Sequence, residues 1–172
     1  MSRVFRRFVV TAAVIVASAP SRPLAAQMST PTSKKLCALL QPADLAVLLK
    51  TPHPEPGTEF GNQCHWGWTA TVNGKFTSMM FQVRLAPPDK GETSEQSFTR
   101  QRDKAMHDVR VIHTRDESGI GDRAYSFYQD PIQACFFVYT KGQLLTFWVN
   151  GSGDVDALRP VVIKAVSAYT SG

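Results

Sequence analysis

Apolar and polar residues alternate along this chain with periods that change from segment to segment, and the changes mark its elements. Gln63 to Val72 and Lys75 to Leu85 alternate with period two on either side of Asn73-Gly74. That dipeptide is the strongest two-residue hairpin signal, because both residues accept positive φ. The turn fixes the register, setting Trp68 against Met79, Trp66 against Phe81 and Cys64 against Val83. Cys64, Trp66, Trp68 and Ala70 then share one face with Met79, Phe81 and Val83, while His65, Gly67, Thr69, Ser78, Met80 and Gln82 take the other. One apolar and one mostly polar face predict a half-buried antiparallel sheet. Arg123 to Gln129, Gln133 to Thr140 and Gln143 to Val149 predict three more strands, with turns at Asp130-Pro131 and Lys141-Gly142, and Val109 to Thr114 a shorter one.

Three segments carry the helical period instead. Leu36 to Lys50 predicts one helix, with Pro42 at a first-turn position and Leu45, Leu48 and Leu49 as its stripe. Thr93 and Gln96 have the spacing of a capping box, opening a helix to about His107 with Phe98, Ala105 and Met106 inward. Asp154 or Asp156 caps a last helix striped by Val155, Leu158, Val162, Ala165, Val166 and Tyr169, and Pro160 implies a start near Asp156 or a bend. The order is helix, two strands, helix, four strands, helix. It predicts an α+β domain: an antiparallel sheet of about five to six strands with helices packed mainly on one face.

The last hairpin departs from simple alternation. One face pairs Val138 with Leu145, Phe136 with Phe147 and Ala134 with Val149; the other pairs Tyr139 with Leu144, Phe137 with Thr146 and Cys135 with Trp148. Both are largely apolar, so the pair is either buried twice or shows a patch. With every helix on the opposite side, Phe137, Tyr139, Leu144 and Trp148 stand uncovered as a partner-binding face, while cover by a helix or the N-terminal segment makes them core. A pocket between sheet and helices, lined by Trp66, Trp68 and Phe81, is the alternative binding site.

The start of the chain reads as an address. Arg3, Arg6 and Arg7 precede an apolar run from Phe8 to Ala19, followed by Pro20 and Pro23 and the small residues Ala25 and Ala26. The run is short of the roughly 20 residues of a bilayer span and fits a signal peptide over residues 1–26, an uncleaved anchor being the other reading. Residues 27–35 are predicted to be a flexible tail and 36–172 a single domain. Arg3, Arg6, Arg7 and Arg22 leave with the leader, so of 19 basic residues 15 remain against 14 acidic ones, and the charge falls from +5 to +1. The basic balance of the whole chain therefore gives no support for nucleic-acid binding. The destination is the periplasm or the medium. Cys37 lies well past the leader, so no cysteine is placed to carry a lipid anchor.

Three cysteines, Cys37, Cys64 and Cys135, permit at most one intramolecular bridge in an oxidising compartment. Cys37–Cys64 is favoured, stapling the first helix to the first strand. Cys135 lies mid-strand, as a buried thiol or as the link of a covalent dimer. Neither a Cys-x-x-Cys nor a His-x-x-x-His pair is present, so no metal or other cofactor is implied. Gly119-Ile120-Gly121-Asp122 lacks the phosphate-loop pattern and reads as a tight turn. His53, His65, His107 and His113 stand beside no nucleophile motif, so no catalytic residue is assigned and the chain is not expected to be an enzyme; a hydrolase using His65 or His113 is the least favoured alternative.

Cys37-Ala38-Leu39-Leu40-Gln41-Pro42-Ala43-Asp44-Leu45, then Cys64-His65-Trp66, then Gly119-Ile120-Gly121-Asp122-Arg123-Ala124-Tyr125 and a C-terminal helix resemble the motifs of a large family of small exported bacterial domains. Many of its members are lipoproteins, and none has an assigned function. The resemblance implies a first-to-second cysteine disulfide and an α+β sheet domain, and no reaction. The expected function is a non-catalytic binding or accessory domain of the cell envelope that engages another protein through the aromatic face, or alternatively a small-ligand carrier.

Overall fold

A computed structural model describes residues 33–49, 51, 54–72, 75–129, 133–151 and 154–172. The signal segment, residues 27–32 of the tail, and the turn residues Asn73-Gly74 and Asp130-Pro131 lie outside the described residues. The elements are α1 (Ser33–Cys37), a 3-10 turn (Pro42–Leu45), β1 (Thr58–Phe60), β2 (Gln63–Val72), β3 (Lys75–Ala86), α2 (Ser94–His107), β4 (Val111–Glu117), β5 (Arg123–Gln129), β6 (Gln133–Thr140), β7 (Gln143–Asn150) and α3 (Val155–Ser171). The strands form one antiparallel sheet in the order β1-β2-β3-β7-β6-β5-β4.

The predicted registers hold. Trp68 pairs with Met79, Trp66 with Phe81 and Cys64 with Val83, and Val138 pairs with Leu145 and Phe136 with Phe147. The strand count is seven rather than five to six. The extra strand, β1, is three residues long with every residue exposed, so it carries no alternation to detect. The single helix predicted over residues 36–50 is instead α1 followed by the 3-10 turn. Ser33 to Lys35, expected in the tail, are already helical. Pro42 cannot donate a backbone hydrogen bond, and it starts the second piece rather than continuing the first.

The helices occupy both faces, where one was expected to hold them. In the sheet β7, β6 and β5 lie between β3 and β4, so the connection from β3 to β4 has to cross a whole face. That connection is α2. Its Phe98 and Ala105 pack on Tyr125, Phe127, Phe137 and Leu144. The opposite face takes α1, the 3-10 segment and α3, whose Leu36, Leu45, Leu49, Leu158, Val162 and Ala165 are all buried against Trp66, Phe81, Phe136 and Phe147. Asp154 caps α3, accepting from the backbone N–H of Ala157 at 2.8 Å, and the helix runs through Pro160 to Ser171. On α2 the Thr93–Gln96 capping box forms in both directions.

Cys37 and Cys64 are disulfide-bonded, with Cα atoms 5.2 Å apart. Gly57 crosses directly over that bridge: a Cβ there would sit 2.6 Å from Trp66 and 2.7 Å from the Cys64 sulfur. Cys135 is a free thiol with no exposed surface. Burial pushes its thiol pKa up, away from the reactive thiolate.

Candidate functional site

The Gly119-Ile120-Gly121-Asp122 segment is built for packing. Gly119 and Gly121 both have positive φ, at 73° and 59°. A Cβ on Gly121 would stand 2.7 Å from Val138 Cγ1 and 2.9 Å from the Tyr139 carbonyl oxygen. Ile120 is buried. The Asp122 backbone N–H donates to the Tyr139 carbonyl, and its carboxylate accepts from the Lys141 backbone N–H at 3.1 Å. The segment thus clasps the β6–β7 turn, where Lys141 and Gly142 take φ of 48° and 71°.

Next to it lies a charged knot on the α3 side of the sheet. The Glu117 side chain is only 5% exposed. Its carboxylate accepts from Ser126 Oγ, from Arg115 at 2.6 Å and from Arg159 of α3 at 3.1 Å. Burial on its own pushes this carboxyl up; the three donors outweigh it and hold the group below its ordinary range. All of its partners are structural, and the knot joins β4, β5 and α3.

Among the described residues no hydrogen bond joins either histidine of the hydrolase alternative to a serine, threonine or cysteine. His65 Nε2 is buried beside Phe60 with no hydrogen-bond partner among the described residues, and burial lowers its pKa. His113 sits at φ 55° in the irregularity between Ile112 and Arg115 of β4. It lines an open cleft of about 400 Å³ with Arg115, Tyr128, Asp154, Val155 and Asp156, among which there is no serine, threonine or cysteine. Among the described residues no group of three His, Cys, Asp or Glu side chains is placed to hold a metal ion.

The residues proposed as a pocket, Trp66, Trp68 and Phe81, are core. Trp66 and Phe81 have no exposed surface and their rings lie 5.5 Å apart, with Trp68 half-buried against the same cluster. The leucines of residues 36–49 belong to the same buried cluster.

The face expected to be uncovered is roofed by α2. Phe137 and Leu144 are buried, and Tyr139 and Trp148 are half-buried. Phe98 of α2 stands edge-on to Tyr125 at 5.2 Å, and the Arg123 guanidinium lies over the Phe98 ring, 4.9 Å from its centroid. Bidentate contacts of 2.7 Å from Arg102 to Asp116 tie α2 to β4. The roof does not seal the floor. Toward the C-terminal end of α2 a cleft of about 300 Å³ opens between Gln101, Lys104, Ala105 and Asp108 above and Tyr125, Phe127, Phe137 and Trp148 below.

The floor is aromatic and ordered. The rings of Tyr125, Phe127 and Phe137 lie within 25° of parallel at 5.0 to 6.1 Å, and Trp148 meets Phe137 edge-on at 5.8 Å. Two buried polar atoms of this face, Tyr125 Oη and Thr146 Oγ1, have no hydrogen-bond partner among the described residues. Burial raises the Tyr125 phenol pKa far above its ordinary value, so the group stays a donor. Buried polar groups in native proteins are nearly always paired, and an unpaired one costs about 1–3 kcal/mol. At the rim, Arg100 is occupied by Asp89 and Glu92, and Arg110 by Asp108 at 2.9 Å. Lys104 forms no hydrogen bond or salt bridge among the described residues. Of the four residues proposed as the aromatic face, Phe137 and Trp148 line this cleft, whereas Tyr139 and Leu144 do not. Tyr125 and Phe127 belong to it as well; the signal for them was their period-two spacing in β5, opposite Phe137 and Cys135.

No family model matches the chain, and no curated protein does. Among solved structures it is similar to a DUF4853 family protein from Actinomyces odontolyticus ATCC 17982, with a TM-score of 0.34 and 10% identity over 70% of this chain. The aligned part spans 64% of that protein's length.

Proposed function

We propose that this chain is an exported, non-catalytic binding domain whose site is the cleft beneath α2, and that it takes a small ligand rather than a flat protein surface. One observation carries the reading. The buried Tyr125 hydroxyl has no partner among the described residues, and it belongs to the same aromatic layer that lines an open cleft. Ligand sites are concave, mostly apolar, and hold a few directional polar groups. The helix that roofs the face turns an aromatic surface into a concavity, which favours the carrier alternative at a new address, lined by Tyr125, Phe127, Phe137 and Trp148 in place of Trp66, Trp68 and Phe81. Export is supported by the leader-like residues 1–26, by the Cys37–Cys64 disulfide and by the resemblance to small exported domains.

The test is the native mass of the protein purified gently from its own envelope fraction. A mass exceeding one chain by a small molecule, with the excess absent from Trp148→Glu, supports the reading. A bare chain from both proteins overturns it.

A further inference from the structure

Resting on that reading, we infer that α2 is a lid: it lifts from the sheet while the rest of the domain stays folded, and a ligand reaches the aromatic floor through that opening. The floor itself calls for a movement. Tyr125, Phe127 and Phe137 are at most 5% exposed. Of the rings that line the cleft, only the half-buried Trp148 offers much surface while α2 is down.

The polar bonds of α2 make it one piece with its own flanks. Arg100 pairs with Asp89 and Glu92 of the preceding loop. Ser97 Oγ donates to Glu92 at 2.6 Å and accepts from the Asp89 backbone N–H at 3.3 Å. At the other end Arg110 pairs with Asp108. None of these bonds reaches the sheet. To the sheet itself α2 is tied by Phe98 and Ala105, its only buried apolar side chains, and by two ion pairs, Arg102 to Asp116 and Arg123 to Glu95, whose side chains are 27% to 68% exposed. Such pairs are weak. By contrast α3 buries six apolar side chains against the opposite face. Lifting α2 also returns water to Tyr125 Oη and Thr146 Oγ1, which have no partner among the described residues while it is closed. That gain offsets part of the apolar surface exposed. The least packed unit of a domain opens at a lower free energy than the whole, and α2 is that unit here.

Cys135 supplies the probe. It is the one free thiol beside the Cys37–Cys64 disulfide, and it lies fully buried in the cluster that Phe98 and Ala105 cover. Labelling of the disulfide-bonded protein with N-ethylmaleimide, followed by intact mass and referred to the rate in the urea-unfolded chain, gives the opening constant. That constant should exceed the unfolding constant from denaturant unfolding by at least about tenfold. It should also depend less steeply on urea, because less surface is exposed. Val162→Ala leaves a cavity in the buried packing of α3 on the opposite face. It should raise the global unfolding constant by about tenfold and leave the labelling rate unchanged. Labelling that matches the global unfolding constant, and rises with it in Val162→Ala, overturns the lid; the native-mass experiment then decides separately whether the cleft holds a ligand. Fast labelling together with a bare chain in the native-mass experiment keeps the movement and overturns the ligand entry assigned to it.

Discussion

The two faces of the sheet are packed by different means. On one, α3 inserts Leu158, Val161, Val162, Ala165, Val166 and Tyr169, and the 36–49 segment adds its leucines under a disulfide. On the other, α2 buries only Phe98 and Ala105 among its apolar side chains. It is held further by arginine pairs to Asp89, Glu92, Asp116 and Glu95, most of them exposed. Exposed pairs contribute about 0–1 kcal/mol each, against about 1.5–3 kcal/mol for each large apolar side chain fully buried. The first face has the means to stabilise the fold. The second leaves a cleft open; buried polar atoms without a partner among the described residues occur on both faces, Trp66 Nε1 on the first and Tyr125 Oη and Thr146 Oγ1 on the second. A layer that is not needed for maximal packing is where a sheet domain has room for a ligand.

The largest expected effect falls on the first face. Replacing Cys37 and Cys64 together by serine opens a loop of sequence separation 27, and should lower unfolding free energy by about 3 kcal/mol in the chain-entropy view. Denaturant unfolding of oxidised wild type against the double variant measures it. A loss well under 1 kcal/mol would show that the leucine cluster holds the segment unaided, and would weaken the division of labour between the faces.

Glu117→Gln comes next, with an expected loss of about 2–3 kcal/mol, since a nearly buried carboxylate accepting from two arginines and a serine is neutralised. Its pH dependence has a definite sign. The folded carboxyl lies below its ordinary value of 4.5, so its contribution is complete above about pH 4.5 and is lost as pH falls through the lower folded value. Stability measured from pH 6 down to pH 3 should fall less steeply for the variant than for wild type. Equal slopes would mean that the acid sensitivity resides in other carboxylates, such as Asp108, which Arg110 holds at about 2.

The smallest effect sharpens the contrast most, because it has the opposite sign. Tyr125→Phe removes a buried hydroxyl that has no partner among the described residues, and the free protein should gain up to about 1 kcal/mol, having lost a polar atom it does not satisfy. A clear loss in thermal or denaturant unfolding would show that the hydroxyl is satisfied after all, and the functional reading of this face would lose its main support.

Much of this was legible in the chain. The Asn-Gly and Lys-Gly turns, with period-two alternation, specify two hairpins down to their cross-strand pairs, because turn geometry and side-chain alternation together leave one register. The capping box of α2 and the Asp154 cap of α3 are local patterns, and local patterns can be read from the sequence. Some features were not. Strand β1 is too short and too exposed to show a period. The face on which α2 lies is also absent from its own pattern, since two buried apolar residues give it no directional stripe. The cleft escaped for the same reason: it exists only where α2 stops short of covering the floor.

By itself, then, the sequence determined the strand pairs, the helix caps, the aromatic wealth of β5 to β7 and a cysteine spacing compatible with one staple. The tertiary structure alone decided that β3 and β4 stand three strands apart, which drives α2 over the second face. It thereby decided that Trp66 and Phe81 are core and that Tyr125, Phe127, Phe137 and Trp148 line a cavity. The physical reason is that hydrogen-bond register is settled between neighbouring strands, whereas the side of a sheet a helix covers depends on where the chain must go next.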